Sequence, residues 1–310
     1  MLVPLLAAGS LLLGAALPGG APSPAPVRYA GLTSCPGANG KRHICGPWRL
    51  WLRGGGTVQL KDAQIRSLDA RGREEVQRAP VAVDPYGRHV AYFAAADRRL
   101  VVRNVGSGGL TRVPGTAGRL PSGLRMSDVE LRVGPEGRYL VLDPTRSSTR
   151  GVLVIEVATG KAWTLPAYAS VQGFSPDGRL LRVVLDQEES AVYRPGGAVP
   201  SGGVTVVGWG ALTSDGATVA GAAREGSRVL VRFYATSNAM ESRAPVRVKV
   251  PPAEEPRMLR WDSGSRMTLL TFDEPRRFVA RSVEVRGGGA RVVDSFTVGR
   301  HTWDVHLAGD

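Results

Sequence analysis

The sequence is poor in the residues that build metal, redox and nucleophilic centres. It contains 2 cysteines and 4 histidines among 310 residues. His301 and His306 are five positions apart, which in a strand places them on opposite faces. The chain has no G-x-S-x-G elbow, no H-E-x-x-H motif and no zinc-ligand spacing. The sequence therefore predicts no catalytic residue, no metal ligand and no cofactor-binding residue.

Lysine is also scarce, because only four lysines occur in a chain of net charge +13. Nearly all the positive charge is therefore arginine, a bias typical of a GC-rich coding background. The basic residues are scattered and form no continuous stripe, which argues against specific nucleic-acid binding. A basic surface also concentrates anions around itself. We expect either a protein or an anionic cell-envelope component as partner, or a charge that reflects codon bias alone, and we expect a monomer.

One long apolar run is present, and it lies at the amino terminus. It covers 16 residues from Leu2 to Leu17, which is short for a transmembrane helix of about 20 residues. It is typical of a secretory signal peptide, although no Lys or Arg precedes it. We expect residues 1–17 to be a signal peptide and residues 18–34 a Pro/Gly-rich linker. This predicts a secreted or extracytoplasmic cell-surface protein with no membrane span after cleavage. An uncleaved anchor is the alternative.

The two cysteines lie close together after this linker. Cys35 and Cys45 flank a turn-rich segment, and an isolated pair in an exported protein normally oxidises. Nine residues separate them, unlike the C-x-x-C of redox centres, and further metal ligands are not nearby. We expect a structural disulfide within a loop of residues 35–47, with a redox pair or a metal site as alternatives.

A turn motif recurs through the rest of the chain. It reads D-P-Y-G-R, G-P-E-G-R and S-P-D-G-R in its three best copies, and its glycines are 50, 41, 38 and 48 residues apart. Proline presets the first corner of a tight turn and glycine takes the positive φ that other residues avoid. The copies cover residues 84–88, 134–138, 175–179, 213–217 and 261–265. A short β-branched run follows each copy and is expected as a strand: 89–93, 139–142, 180–185, 218–222 and 267–272.

Four short strands in each unit, with no sustained helical periodicity, predict an all-β fold. The spacing indicates a β-propeller of about six four-stranded blades over residues 48–310. The first blade is incomplete, with strands expected at 48–52, 57–60 and 65–68. We expect the C-terminal strand, residues 302–307, to complete it, because an open ring would leave an unpaired edge.

The repeat resembles the blade unit of TolB-type and WD-repeat-like propellers. The resemblance is carried by S-P-D-G-R at 175–179 and by the later turn A-T-G-K at 158–161, and it covers residues 48–308. The whole chain also resembles secreted propeller-like proteins of actinomycetes. The resemblance implies the fold and leaves function open, because this architecture hosts binding proteins and enzymes alike.

The first strand of each blade is expected to line an axial channel, whose mouth is where a propeller site is found. The polar channel-lining candidates on these strands are Glu130, Arg132, Gln172 and Arg260. We expect the tryptophans to pack between blades, although Trp209 and Trp261 have the alternative of facing a carbohydrate. The sequence favours an extracytoplasmic, non-enzymatic binding scaffold. The alternative is a propeller enzyme of lyase or glycosidase type with its site at the channel mouth.

Overall fold

The fold is all-β in the part of the chain that the computed structural model describes. That part comprises residues 25–37, 41–144, 149–186, 188–200, 202–206, 208–273 and 276–309. Its helices are three short 3-10 turns, at Thr116–Gly118, Met126–Asp128 and Pro135–Gly137. The predicted signal peptide, residues 1–17, lies outside the described residues.

Six four-stranded antiparallel sheets form six blades, which confirms the predicted propeller. Five of them follow one another along the chain as blades 2 to 6. Blade 2 consists of β7 (Val81–Val83), β8 (His89–Phe93), β9 (Leu100–Asn104) and β10 (Leu110–Arg112). Blade 3 consists of β11 (Glu130–Val133), β12 (Tyr139–Asp143), β13 (Leu153–Glu156) and β14 (Ala162–Thr164). Blade 4 consists of β15 (Ala169–Phe174), β16 (Leu181–Leu185), β17 (Glu189–Tyr193) and β18 (Val204–Thr205). Blade 5 consists of β19 (Trp209–Leu212), β20 (Thr218–Glu225), β21 (Arg228–Ala235) and β22 (Glu241–Lys249). Blade 6 consists of β23 (Glu255–Ser263), β24 (Arg266–Asp273), β25 (Arg277–Glu284) and β26 (Ala290–Thr297).

Blade 1 joins the two ends of the propeller. Its strands are β27 (Thr302–Leu307), β1 (Val27–Pro36), β3 (Trp48–Leu52) and β4 (Thr57–Leu60). One edge of β1 pairs with β27, with Tyr29 opposite Leu307, and the other edge pairs with β3, with Ala30 opposite Leu50. A short strand, β2 (Arg42–Ile44), continues the second edge beside the end of β1. The C-terminal strand therefore closes the ring, as the sequence predicted.

The start of the propeller differs from the sequence expectation. The blade begins at Val27, so residues 27–34 form a strand where a linker was expected, and the segment 35–47 belongs to blade 1 rather than preceding it. The apolar side chains of β1 are buried, as Val27 and Leu32 illustrate, which explains why this segment is held in the sheet. The predicted strand at 65–68 also lies elsewhere: β5 (Arg66–Leu68) pairs with β6 (Glu74–Arg78) in a separate hairpin.

The repeated turn joins the first two strands of a blade and packs against the preceding blade. Gly87 in the first copy has φ 72°, and a Cβ atom there would lie 2.2 Å from the carbonyl oxygen of Val27 in blade 1. Glycine is therefore required both by the turn and by the contact. The fifth copy is different, because Ser263 pairs directly with Arg266 in a tighter hairpin.

The core consists of six apolar clusters, one between each pair of neighbouring blades. The cluster between blades 6 and 1 contains an aromatic stack. Tyr29 lies between Trp51 and Phe296, with ring centroids 4.6 and 5.6 Å away. Arg28 donates two hydrogen bonds to Asp294 across the same junction, at 2.9 and 2.6 Å. The closing junction is thus packed like the five others.

Candidate functional site

The inner strands of the six blades surround an axial channel. They are β27, β7, β11, β15, β19 and β23, and contacts join β27 to β7, β7 to β11, β15 to β19 and β19 to β23. These are the strands that the sequence assigned to the channel, together with the closing strand. β7 and the end of β27 run in the same direction, since a parallel bridge joins Val83 and Ala308. β7, β11, β15, β19 and β23 each lead into a turn to the second strand of their blade. The channel therefore has a turn end, where the repeated turns lie, and an opposite end where the inner strands begin.

Tyr86 covers the axis at the turn end. It belongs to the turn of blade 2, and its hydroxyl lies 3.3 Å from the carbonyl oxygens of both Pro176 in blade 4 and Trp261 in blade 6. The Arg260 guanidinium stands 5.0 Å from the centre of its ring and donates to the carbonyl oxygen of Pro85. Burial, the largest cause, raises the pKa of the Tyr86 hydroxyl. One side chain thus ties three blades together and closes this end.

The opposite end opens into a cavity of about 890 Å³, which we call the basic mouth. Two hairpins enlarge it beyond the inner strands: β1–β2 on one side and β5–β6 on the other. Five arginines and two carboxylates line it: Arg42, Arg66, Arg78, Arg132, Arg257, Glu130 and Asp304.

Both carboxylates of the basic mouth are paired with arginines of the same lining. Arg78 Nε lies 2.8 Å from an oxygen of Asp304, and Arg132 donates to Glu130. The remaining arginines keep the lining positively charged. A concave positive surface with low-dielectric walls focuses its field on an anion that enters it.

Apolar side chains stand among these charges. Val76, in the middle of β6, is 84% exposed. Trp209 is 38% exposed, and the Arg257 guanidinium lies 5.0 Å from its ring centre in a cation–π contact. Exposed aromatic and arginine side chains beside one another are the composition that dominates binding energy at interfaces.

The channel narrows below the mouth to a constriction that we call the waist. Four side chains, Arg132, Gln172, Trp209 and Arg257, line both the basic mouth and a second cavity of about 70 Å³ beneath it. The two cavities therefore adjoin each other within the channel.

The structure brings three of the four channel-lining candidates together. Glu130, Arg132 and Gln172 all line the basic mouth, where Gln172 Nε2 donates to Ser170 Oγ at 3.0 Å. Arg260 lies instead at the turn end, where its Nε is 3.0 Å from Asp262. It helps to hold the covered end and does not face the mouth.

Other residues of the channel were missed by the sequence reasoning. Arg182 comes from the second strand of blade 4, and Tyr86 from a turn, so neither was considered as channel lining. Arg257 lies on the inner strand β23, and its basic side chain was the available signal. Of the two tryptophans considered for carbohydrate, Trp209 faces the channel, whereas Trp261 is 2% exposed and packs against Phe233 with ring centroids 6.0 Å apart.

Two titratable groups of the channel wall have displaced pKa values. Burial, reinforced by the positive charges of Arg78 and Arg132, lowers the pKa of His306 to about 3. Its ring is partly exposed, but its Nε2 atom is buried and has no hydrogen-bond partner. Burial, reinforced by the nearby charge of Glu130, raises the pKa of Asp143 to about 6. His306 is therefore neutral at physiological pH, and Asp143 changes its protonation state near that pH.

The described residues contain one covalent cross-link and no clustered metal ligands. No group of three or more His, Cys, Asp or Glu side chains among them is arranged to hold a metal ion. No helix in the same ranges is long and apolar enough to cross a membrane. Cys35 and Cys45 are joined by a disulfide with Cα atoms 5.7 Å apart, which confirms that prediction.

No protein-family model and no curated protein match the sequence. Among solved structures, the chain is similar to TolB from Acinetobacter baumannii, with 14% identity and a TM-score of 0.47 over 90% of this chain. It spans 65% of the length of that TolB. A TolB-type protein of Agrobacterium tumefaciens shows 14% identity and a TM-score of 0.46 over 78% of this chain and 92% of that one. A chain of a nidogen/laminin complex shows 8% identity and 0.46 over 90% of this chain and 98% of that one. The similarity is one of fold, a β-propeller like those of the TolB proteins.

Proposed function

We propose that the protein is an extracytoplasmic, non-enzymatic binding scaffold that holds an anionic partner in its basic mouth. The observation that carries the proposal is the cavity itself: five arginines face two carboxylates around one open end, while Tyr86 covers the other end. This places a concentrated positive charge where a propeller binds its ligands.

The proposed location rests on the amino terminus and on the cysteines. The apolar run of residues 1–17 supports export, and the Cys35–Cys45 disulfide is of the kind that persists in oxidising compartments. In that location, the anionic partners at hand are acidic polymers and acidic protein surfaces of the cell envelope.

The dimensions of the mouth favour a segment of such a partner. A volume of about 890 Å³ lies within the range of about 300–1,000 Å³ that is usual for small-ligand sites. Val76 and Trp209 add apolar contact area beside the charges. The partner chemistry that fits is therefore an acidic group on a partly apolar or sugar-like framework.

The proposal is tested by binding to a sedimented cell-wall fraction and to immobilised polyglutamate. Two mouth arginines are changed together, Arg42→Gln and Arg66→Gln. We expect affinity to fall roughly tenfold, because each exposed charge contact is worth up to about 1 kcal/mol. Binding is measured at 0.1 M and 1 M salt, where the Debye length is about 10 Å and about 3 Å.

The matched control removes two exposed arginines from outer strands, Arg247→Gln and Arg291→Gln. Both double variants lose the same net charge, so a general attraction weakens equally in both. The proposal requires that the mouth variant lose far more affinity than the control. Equal losses, or no binding of either probe at low salt, would refute it.

A second candidate function, a lyase or glycosidase, is favoured by one pair of carboxyl groups. Asp143 lies directly opposite Glu130 in the ladder between β11 and β12, and its pKa of about 6 suits a general acid near neutral pH. The test is turnover of polysaccharide and lactone substrates by the wild type and by the Asp143→Asn and Glu130→Gln variants. Turnover that both changes abolish establishes the enzyme, and its absence leaves the scaffold.

A further inference from the structure

We infer that the cavity below the waist is a binding subsite for a single oxyanion group, a carboxylate, phosphate or sulfate, held by Arg182 and Arg132. The inference deepens the proposed function, on which it rests, by naming the group that reaches the bottom of the basic mouth. It is carried by the buried cation, the chemistry of the lining and the size of the cavity.

Arg182 is a buried cation with few partners. It is 7% exposed, and its Nη1 donates to Ser190 Oγ at 2.9 Å. Its Nε is buried without a hydrogen-bond partner. Burial, and then the charge of Arg132, lowers its pKa to about 10, so the guanidinium remains protonated at neutral pH. A buried cation is stable only where an opposite charge or further hydrogen bonds compensate its lost hydration.

Two glycines give this side chain its place. Gly173 on the inner strand of blade 4 is the register partner of Arg182. Gly210 on the inner strand of blade 5 lies against the guanidinium, since a Cβ atom there would be 2.7 Å from Nη1. A Cβ atom at Gly173 would meet no heavy atom within 4 Å, so that position faces open space. The missing side chain at Gly210 lets an arginine of a second strand line the small cavity.

The lining of the cavity supplies donors without carboxylates. Four arginines, Arg132, Arg182, Arg257 and Arg260, line it, and none of the described residues around it is an Asp or Glu. Arg132 also has a buried Nε without a partner. Arg132 and Arg182 bring two guanidinium groups to one small cavity. Such a pair is suited to an anion with several acceptor oxygens, because guanidinium and oxyanion pair through charge-assisted hydrogen bonds.

The cavity has the size of one such group. Its volume of about 70 Å³ corresponds to roughly two water molecules, at about 30 Å³ each. That space suits a single carboxylate or tetrahedral oxyanion. A larger ligand therefore occupies the basic mouth and extends one terminal acidic group through the waist.

The first experiment is thermal unfolding of the full mature protein in acetate, inorganic phosphate, sulfate and chloride at equal ionic strength. Specific binding at about tenfold excess over Kd raises the Tm by about 3 °C relative to chloride. Arg182→Met abolishes this increment, and the exposed control Arg247→Met keeps it. Sulfate and phosphate also stabilise proteins generally, and that effect is common to the wild type, Arg182→Met and Arg247→Met.

The pattern among the anions distinguishes the sources of the group. A rise with acetate alone identifies a carboxylate, and a rise with phosphate or sulfate identifies a tetrahedral oxyanion. Equal Tm values in chloride and in every oxyanion overturn the inference. So does an oxyanion increment in the Tm that is as large in Arg182→Met as in the wild type.

A direct measurement keeps the test decisive even if Arg182→Met folds poorly. Crystals of the wild type soaked in selenate are expected to show an anomalous peak between Arg132 and Arg182. Diffraction without a peak there, together with no acetate increment in the Tm, overturns the subsite. Polymer binding at the mouth that survives in Arg182→Met, with no small-anion effect, refutes the subsite while leaving the proposed function intact. Polymer binding by the Arg42→Gln, Arg66→Gln variant tests the proposed function separately, because neither of these residues lines the small cavity.

Discussion

His306 is expected to make the folded protein sensitive to acid, and His306→Phe is expected to remove that sensitivity. The imidazole lies in the wall of the channel with its ring 5.7 Å from Trp48 and its Nε2 without a partner. Phenylalanine keeps a ring of similar shape against Trp48. It removes the group that becomes charged.

The magnitude is set by the difference in pKa between the two states. The folded-state pKa is about 3, whereas the unfolded chain binds a proton at the ordinary value of 6.5. Because the folded pKa is lowered, stability is complete above about pH 6.5 and declines as the pH falls towards 3. Between pH 7 and pH 5, protonation of the unfolded state costs the folded protein about 2 kcal/mol. Any folded-state pKa below about 4 gives the same figure over this range.

The assay is chemical denaturation at pH 7 and pH 5 in a buffer free of phosphate and sulfate. Asp143 titrates in the opposite sense, because its raised pKa lets the folded state take up a proton as the pH falls through about 6. The difference between wild type and His306→Phe cancels that contribution. His43→Gln, a change at an exposed histidine of the same mouth, is the control and is expected to keep the wild-type decline. A His306→Phe protein that loses as much stability as the wild type refutes the reasoning.

Three further outcomes are expected. Deleting the chain from His301 onward removes the partner of β1, so calorimetry is expected to show loss of a single cooperative transition, and an unchanged melting curve contradicts the closing role of β27. Arg281→Met leaves buried Glu254 without the guanidinium that binds it at 2.5 and 3.0 Å. It is expected to cost about 3–5 kcal/mol in denaturant titrations. Adding Glu254→Gln is expected to restore most of that loss, and failure to do so excludes an unpaired charge as its cause. Replacing both Cys35 and Cys45 by serine is expected to lower the free energy of unfolding by about 2–3 kcal/mol without abolishing the fold. Mass spectrometry showing free thiols in the wild type contradicts that expectation.

The parts of the fold that depend on local chemistry were predictable from the sequence. The turn at 84–88 and the strand His89–Phe93 were both expected, and the strand has the same bounds in the structure. Proline, glycine and alternating β-branched residues act within a few positions of one another, so their consequences can be read directly. The closing strand was also inferred, because a ring with an unpaired edge is unfavourable.

The parts that depend on distant pairing were not predictable. β1 is held by contacts between residues far apart in sequence, such as Tyr29 and Leu307, and its glycine and flanking prolines hide it as a linker. Arg182 lies opposite Gly173 in the strand register and against Gly210 of the next blade, which only the tertiary structure reveals. Tyr86 covers the channel through carbonyl groups of two other blades. Such contacts leave no local pattern.

Tyr86 lies across the axis at the turn end and restricts how the polymer of the proposed function can enter the channel. A polymer that cannot pass Tyr86 enters only by a terminus or a side branch. Under the proposed function, the amount of polymer bound depends on the number of polymer ends, and it does not depend on the length of polymer attached to each end. Shearing an acidic polymer into shorter pieces would then multiply the number of ligands per unit mass, while the affinity of each piece stays the same.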